Sequence, residues 1–184
     1  MNVRASPALF EGVDPEIAAH LDEFVAIRRD LHRRPELSFK EKRTSDRVAS
    51  LLNQWGYVVT TGIGGPGVVA TLRRVRGGRA LAIRADMDAL PIRETTGLAY
   101  ASEREGVMHA CGHDGYTAIL LAAAERLARS GAFNGTLHLV FQPAEEIGAG
   151  AKAMLADGLF ERFQTDAIFG LHTGPAFLRA ASAS

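Results

Sequence analysis

Three apolar runs in this sequence end alike. RALAIRAD (79–86) leads into M-D-A-L-P, TLHLVFQ (136–142) into P-A-E-E, and DAIFGLH (166–172) into T-G-P. Each reads as a strand by length and composition, and each meets carboxylate or histidine at its C-terminal end, close to a proline. In open α/β sheets the carboxyl ends of the strands border the ligand crevice. If these three strands are parallel neighbours, Asp86, Asp88, Glu145, Glu146 and His172 converge on one rim.

The intervening segments have the period of helices. Asp14-Pro15 is a helix start, with a capping side chain followed by a proline that needs no N–H there. Ile17, Leu21, Phe24, Ile27 and Leu31 then recur on one face until Pro35. Ser38 and Glu41 form a capping box for a second helix, whose apolar face is Val48, Leu51, Leu52 and Trp55 and whose end is Gly56. GVVATLRR (67–74) and RALAIRAD flank V-R-G-G, which predicts a β-hairpin. A third helix, from about Gly115 to Arg129, is so apolar at AILLAAA that it predicts cover on both sides. AGAKAMLADG predicts a short helix closed by Gly158. Strands alternating with helices make this an α/β fold.

The helix containing AILLAAA is preceded by M-H-A-C-G-H-D, which holds the only cysteine of the 184 residues. One thiol forms no internal disulfide. A thiolate, imidazoles and carboxylates gathered at one rim are metal ligands by type. Gly112 between Cys111 and His113 lets the loop turn both side chains to one centre. A cation there would keep the thiol deprotonated. The adjacent Glu145 and Glu146 suit a division of labour. One carboxylate holds the metal, and its neighbour takes a proton from water, which a metal acidifies to a pKa around 7. Blander readings stand beside these. A lone cysteine can be a small buried hydrophobe. Asp86 and Asp88 also suit a turn before Leu90-Pro91, the two glutamates suit a helix start, and His172 suits a hydrogen-bonded core histidine. His20, His32 and His138 read as structural.

The formal net charge is zero, so charge gives no reason to expect nucleic acid or an anionic membrane as partner. The first residues, MNVRASPALFEGVDPEI, show no apolar leader segment, and no stretch approaches the ~18 apolar residues of a membrane span. A cytoplasmic location is the default expectation.

Five motifs, LHRRPELSFKE, RADMDALPI, MHACGHDGYTAILL, FQPAEEIGAGAKAML and GLH, together resemble those of the metal-dependent amidohydrolases typified by hippurate hydrolase, N-acyl-amino-acid amidohydrolase and the auxin-conjugate hydrolases. They occur in that family's order from about residue 20 to residue 175. The resemblance implies a three-layer α/β/α sandwich of the zinc-peptidase type. It implies two divalent ions (zinc, manganese, cobalt or nickel), held by Cys111, His113, Glu146 and His172. Glu145 would be the general base, and Asp88 would orient a ligand. The implied reaction is hydrolysis of the linear amide of a small N-acyl amino acid. Tyr116 stands where the family pattern has a histidine, which implies a change of packing only. Members of the family are about twice as long. They continue into a lid and dimerisation domain and carry two further histidines, one a metal ligand and one assisting the oxyanion. The sequence given stops just after GLHTGP. On this reading residues 1–175 are the N-terminal part of a catalytic domain, incomplete and without its lid, and 176–184 are a disordered tail. The alternative is a relative that binds metal, or pairs with a similar subunit, without turnover.

Overall fold

The computed structural model describes residues 15–74 and 78–172. The expectations for Asp14, for most of the V-R-G-G turn and for the tail at 176–184 lie outside the described residues. The elements run α1 (Pro15–Ala19), α2 (Leu21–Arg33), α3 (Lys42–Gln54), β1 (Val58–Ile63), β2 (Gly67–Arg74), β3 (Ala80–Asp86), α4 (His113–Ser130), β4 (Gly135–Gln142), α5 (Gly150–Ala156), α6 (Leu159–Arg162) and β5 (Ala167–Gly170). The single N-terminal helix expected from the sequence is broken at His20, whose N–H bonds Ile17 O. Phe24, Ile27 and Leu31 still share the buried face of α2.

The five strands form one mixed sheet in the order β1-β2-β4-β3-β5. β4 is parallel to β3, and β3 is parallel to β5, so the three apolar runs are parallel neighbours. Their register sets Asp86 level with Gln142 and Arg84 level with Gly170. α4 supplies the crossover that a parallel β3–β4 pair requires.

The hairpin of 67–74 with 79–86 is not formed. β2 pairs antiparallel with β1 and with β4. β4 is buried along almost its whole length, which demands a central place, and it takes the position between β2 and β3. Gly78 and Arg79, ahead of β3, therefore lie against the start of β4. A Cβ on Gly135 would lie 2.2 Å from Arg79 O, and one on Gly78 would lie 3.1 Å from Gly135 Cα. That close approach needs glycine at both positions.

Side chains alternate across the sheet and bury two cores. Val68, Ala70, Leu72, Ala85, Leu137, Leu139 and Phe141 pack under α2, α3 and α4. Val69, Ala82 and Val140 face the other way and meet Met154 and Leu159 of α5 and α6. This is the three-layer α/β/α arrangement, and each large side chain fully buried in it contributes about 1.5–3 kcal/mol. α4 lies between the sheet and α2 and leaves one flank open at Ile119. β5 is exposed along its length.

Ser38 and Glu41 do not form the expected capping box. α3 begins at Lys42 and has no side-chain cap from Glu41. The carboxylate of Glu36 takes that role, accepting from the N–H of Arg43 at 3.1 Å and of Thr44 at 2.8 Å. A carboxylate suits the positive end of a helix. Ser38 and Glu41 are thereby left for longer-range partners.

Candidate metal centre

The rim expected at the C-terminal ends of the parallel strands is present. Gly112, at φ 83°, is the N-cap of α4 and turns the chain so that Cys111 and His113 flank the helix start. Cys111, His113 and His172 offer ligand atoms that all lie within 4.8 Å of one another, and so do His113, Glu145 and Glu146. His113 is common to both groups. The Cys111 Sγ lies 3.7 Å from His172 Nε2. His113 Nε2 lies 3.7 Å from Glu145 Oε2 and 3.8 Å from Glu146 Oε1.

His113 is held in one tautomer. Its Nδ1 donates to the main-chain carbonyl of Asp88 at 2.9 Å, which only accepts, so in the neutral ring Nε2 carries the lone pair, toward the two glutamates. The Asp88 carboxylate also stands close, with Oδ1 3.2 Å from the same nitrogen. Its Oδ2 accepts from Ser38 Oγ at 2.7 Å and from the N–H of Glu146 at 3.0 Å. Asp88 therefore touches both the histidine and the glutamate, one through the main chain and one through the side chain.

Burial works against charge throughout this cluster, and the neighbours decide each outcome. At Asp88 burial is outweighed by hydrogen bonds from His113, Glu146 and Ser38, which hold its carboxyl below the usual value. At His113 burial is outweighed by Asp88 and by the charges of Asp86 and Glu146, which hold the imidazole above its usual value. Burial pushes Asp86 up to about 6, although Arg84 is bonded to it at 2.6 Å. Burial, with the nearby charges of Glu146 and Glu145, pushes the Cys111 thiol up to about 11. Without a cation the site is thus crowded with acceptors and resists a thiolate.

The donor set fits a divalent cation. His113 Nε2 and Glu146 Oε1 are buried, and neither has a hydrogen-bond partner. At 3.8 Å they are too far apart to bond each other. Two ligands at about 2.0–2.2 Å from one ion stand at most about 4.4 Å apart, so this spacing suits a shared cation. Sulfur with two imidazoles suits zinc, and the carboxylates admit harder ions.

Other sequence-level expectations fall differently. His109 does not join either ligand group. It is buried beside His32, with ring centroids 6.3 Å apart, and burial brings its pKa down to about 4. His32 bridges Asp114 at 2.9 Å and Glu94 at 3.2 Å, which ties α2 to the first turn of α4. His138 faces the opposite layer, bonded to Thr71 Oγ1. Tyr116 packs 5.8 Å from the His113 ring and 5.4 Å from the His172 ring. Ser38 bonds Asp88 and Glu41 accepts from the N–H of Ala144, although S-x-x-E reads as a local motif and these partners lie 50 and 103 residues away. No local spacing signals such contacts.

Comparison with known proteins agrees with this fold. Residues 82–182 match the family described as peptidase family M20/M25/M40. The chain is 52% identical over 161 residues to the hippurate hydrolase of Campylobacter jejuni, covering 88% of this chain and 42% of that protein. It is 45% identical to an N-acetyl-L-cysteine deacetylase of Bacillus subtilis, covering 83% of this chain and 36% of that one. Among solved structures, a dinuclear metal-binding peptidase of the M20 family from Bacillus subtilis superposes with a TM-score of 0.80 at 41% identity, over 86% of this chain and 44% of that one. The chain thus spans about two-fifths of the length of these relatives. No helix among the described residues is long and apolar enough to cross a membrane.

Proposed function

Since the chain belongs to peptidase family M20/M25/M40, we propose that it takes part in metal-dependent hydrolysis of the linear amide of small N-acyl amino acids. The observation that carries this reading is the pair of ligand groups sharing His113 at the rim of the sheet. Cys111, His113, Glu146 and His172 would hold two divalent cations. When bound, these supply Lewis acidity toward water and the amide carbonyl.

The remaining chemistry belongs to the chain's own residues. Glu146 is the more buried glutamate, its side chain 13% exposed, and its N–H is fixed by Asp88. That suits a ligand. The Glu145 side chain is 32% exposed and lies at a similar distance from His113. That suits a base, which must meet water and substrate. Glu145 would take a proton from the attacking water and return it to the leaving amine, so that the proton count closes. Asp88 would keep the His113 lone pair aimed at the site.

The similarity to hippurate hydrolase and to N-acetyl-L-cysteine deacetylase supports amides whose acyl group is small and whose leaving group is an amino acid. A second reading, cation binding without turnover, is favoured by β5. Ile168 and Phe169 stand 41% and 63% exposed beside the site-bearing strand β3. One comparison separates the two. The chain is loaded with Zn²⁺ or Mn²⁺ and assayed for cleavage of N-benzoylglycine and N-acetyl amino acids, beside Glu145→Ala. Turnover that Glu145→Ala abolishes is expected for the hydrolytic reading. Turnover that survives the substitution removes Glu145 as base, and bound metal with no turnover in either chain leaves the second reading.

A further inference from the structure

Glu41 is wholly buried at the start of α3. Its Oε1 accepts a hydrogen bond from the N–H of Ala144 at 2.8 Å, and its Oε2 has no partner. Taking a carboxylate out of water for main-chain donors alone, the N–H of Ala144 foremost, is costly, and a neutral side chain could accept the same bond. The Glu41 side chain does not cap α3, because the Glu36 carboxylate does. Its partner is unusual too. Ala144 is buried and has φ 51°, the left-handed region that a non-glycine residue enters only when its surroundings hold it there.

Ala144 immediately precedes Glu145 and Glu146 and governs their direction. Its carbonyl accepts from the N–H groups of Ala149 and Gly150, and the Glu145 carbonyl accepts from Gly148. The turn closes so tightly that a Cβ on Gly150 would lie 1.6 Å from Pro143 O. Ser38, three residues before Glu41, bonds the Asp88 carboxylate that in turn holds the Glu146 N–H. The 38–41 segment therefore fixes the amide before Glu145 directly and the amide after it through Asp88.

We infer that Glu41 is a positioning residue for the Glu145–Glu146 pair, holding the left-handed Ala144 turn through its buried carboxylate. The inference deepens the reading of that pair as ligand and base and rests on it for its consequence at the metal. Burial also pushes the Glu41 carboxyl above its usual value, so the neutral Glu41→Gln is a fair mimic.

Two variants of the 184-residue chain test it. Glu41→Gln keeps an acceptor, while Glu41→Met fills the volume without one. Amide hydrogen exchange is followed at Ala144 and Gly150 without metal, with Val69 and Val140 of the central sheet as internal reference. Cobalt binding is followed by the thiolate-to-cobalt charge-transfer band and by total affinity. In Glu41→Met, exchange at Ala144 and Gly150 should quicken at least about tenfold against an unchanged sheet. Cobalt affinity should fall by about tenfold while the thiolate band remains. Glu41→Gln should stay within about threefold of wild type in both measurements.

A Met variant that matches wild type in exchange or in cobalt affinity overturns the inference, as does a Gln variant that loses as much as Met. A wild-type chain that takes up no cobalt overturns the metal reading instead, and the exchange data then decide the positioning role alone.

Discussion

Raising the pH should tighten cation binding in a way that reports on Cys111. In the cation-free chain, burial and the charges of Glu146 and Glu145 set the thiol at about 11 against an ordinary 9.0. At pH 7 only about one molecule in 10⁴ then carries the thiolate. A cation bound by sulfur must displace that proton, so each pH unit multiplies the apparent association constant by about ten. The sign is fixed: affinity rises with pH until the thiol of the cation-free chain is itself ionised. An ordinary thiol would bend the plot near 9.0, whereas this one keeps it straight beyond pH 9. His113 adds a second proton at the acid end. Burial lowers its pKa, but Asp88, Asp86 and Glu146 outweigh that and raise it overall. The assay is competition for Zn²⁺ against a chelator of known proton linkage, from about pH 6 to pH 10. Cys111→Ser, which does not titrate there, should lower the slope by one proton and weaken binding throughout. A flat profile, a bend near pH 9, or an unchanged slope in Cys111→Ser would refute the reasoning.

Removing the true cap of α3 by Glu36→Ala strands the buried N–H of Thr44 and the N–H of Arg43. Urea unfolding should show a loss of about 1–3 kcal/mol, with Glu36→Gln losing less. Phe141→Ala empties the centre of the larger core, where the ring is wholly buried, and should cost about 3–5 kcal/mol in the same assay. Gly150→Ala drives a Cβ into Pro143 O. It should cost at least about 1–3 kcal/mol and should weaken cobalt binding through the Glu145–Glu146 turn, which calorimetry with cobalt titration checks. Tyr116→His exchanges one packed ring for another beside His113 and His172. Zinc competition should show a change in affinity below about tenfold, and a larger gain would make position 116 a ligand.

The layers and the rim were legible because they rest on local signals. Apolar runs ending at Asp86, Gln142 and Gly170 mark parallel strands, and Gly112 marks the entry to α4. The order of the strands was not legible. V-R-G-G resembles a hairpin turn when read along the chain, yet the almost complete burial of β4 places it between β2 and β3. β1 was overlooked because VVTTGI has no clean alternation, and its burial is correspondingly irregular. The same limit hid the supports of the site. Ser38 and Glu41 match a helix cap in sequence, but Glu36 lies close enough to replace them, which frees both for Asp88 and Ala144. His109 sits two residues from Cys111 and shares its motif, but its ring is buried in the packing around His32.

Metal-dependent hydrolysis at this rim requires sulfur and imidazole to share a cation, and X-ray absorption of the zinc-loaded chain tests that directly. The expected coordination shell contains one sulfur at about 2.3 Å with nitrogen and oxygen ligands at about 2.0–2.2 Å, and Cys111→Ser removes the sulfur. A shell of nitrogen and oxygen alone with Cys111 intact, or a sulfur signal that survives its replacement, would contradict it.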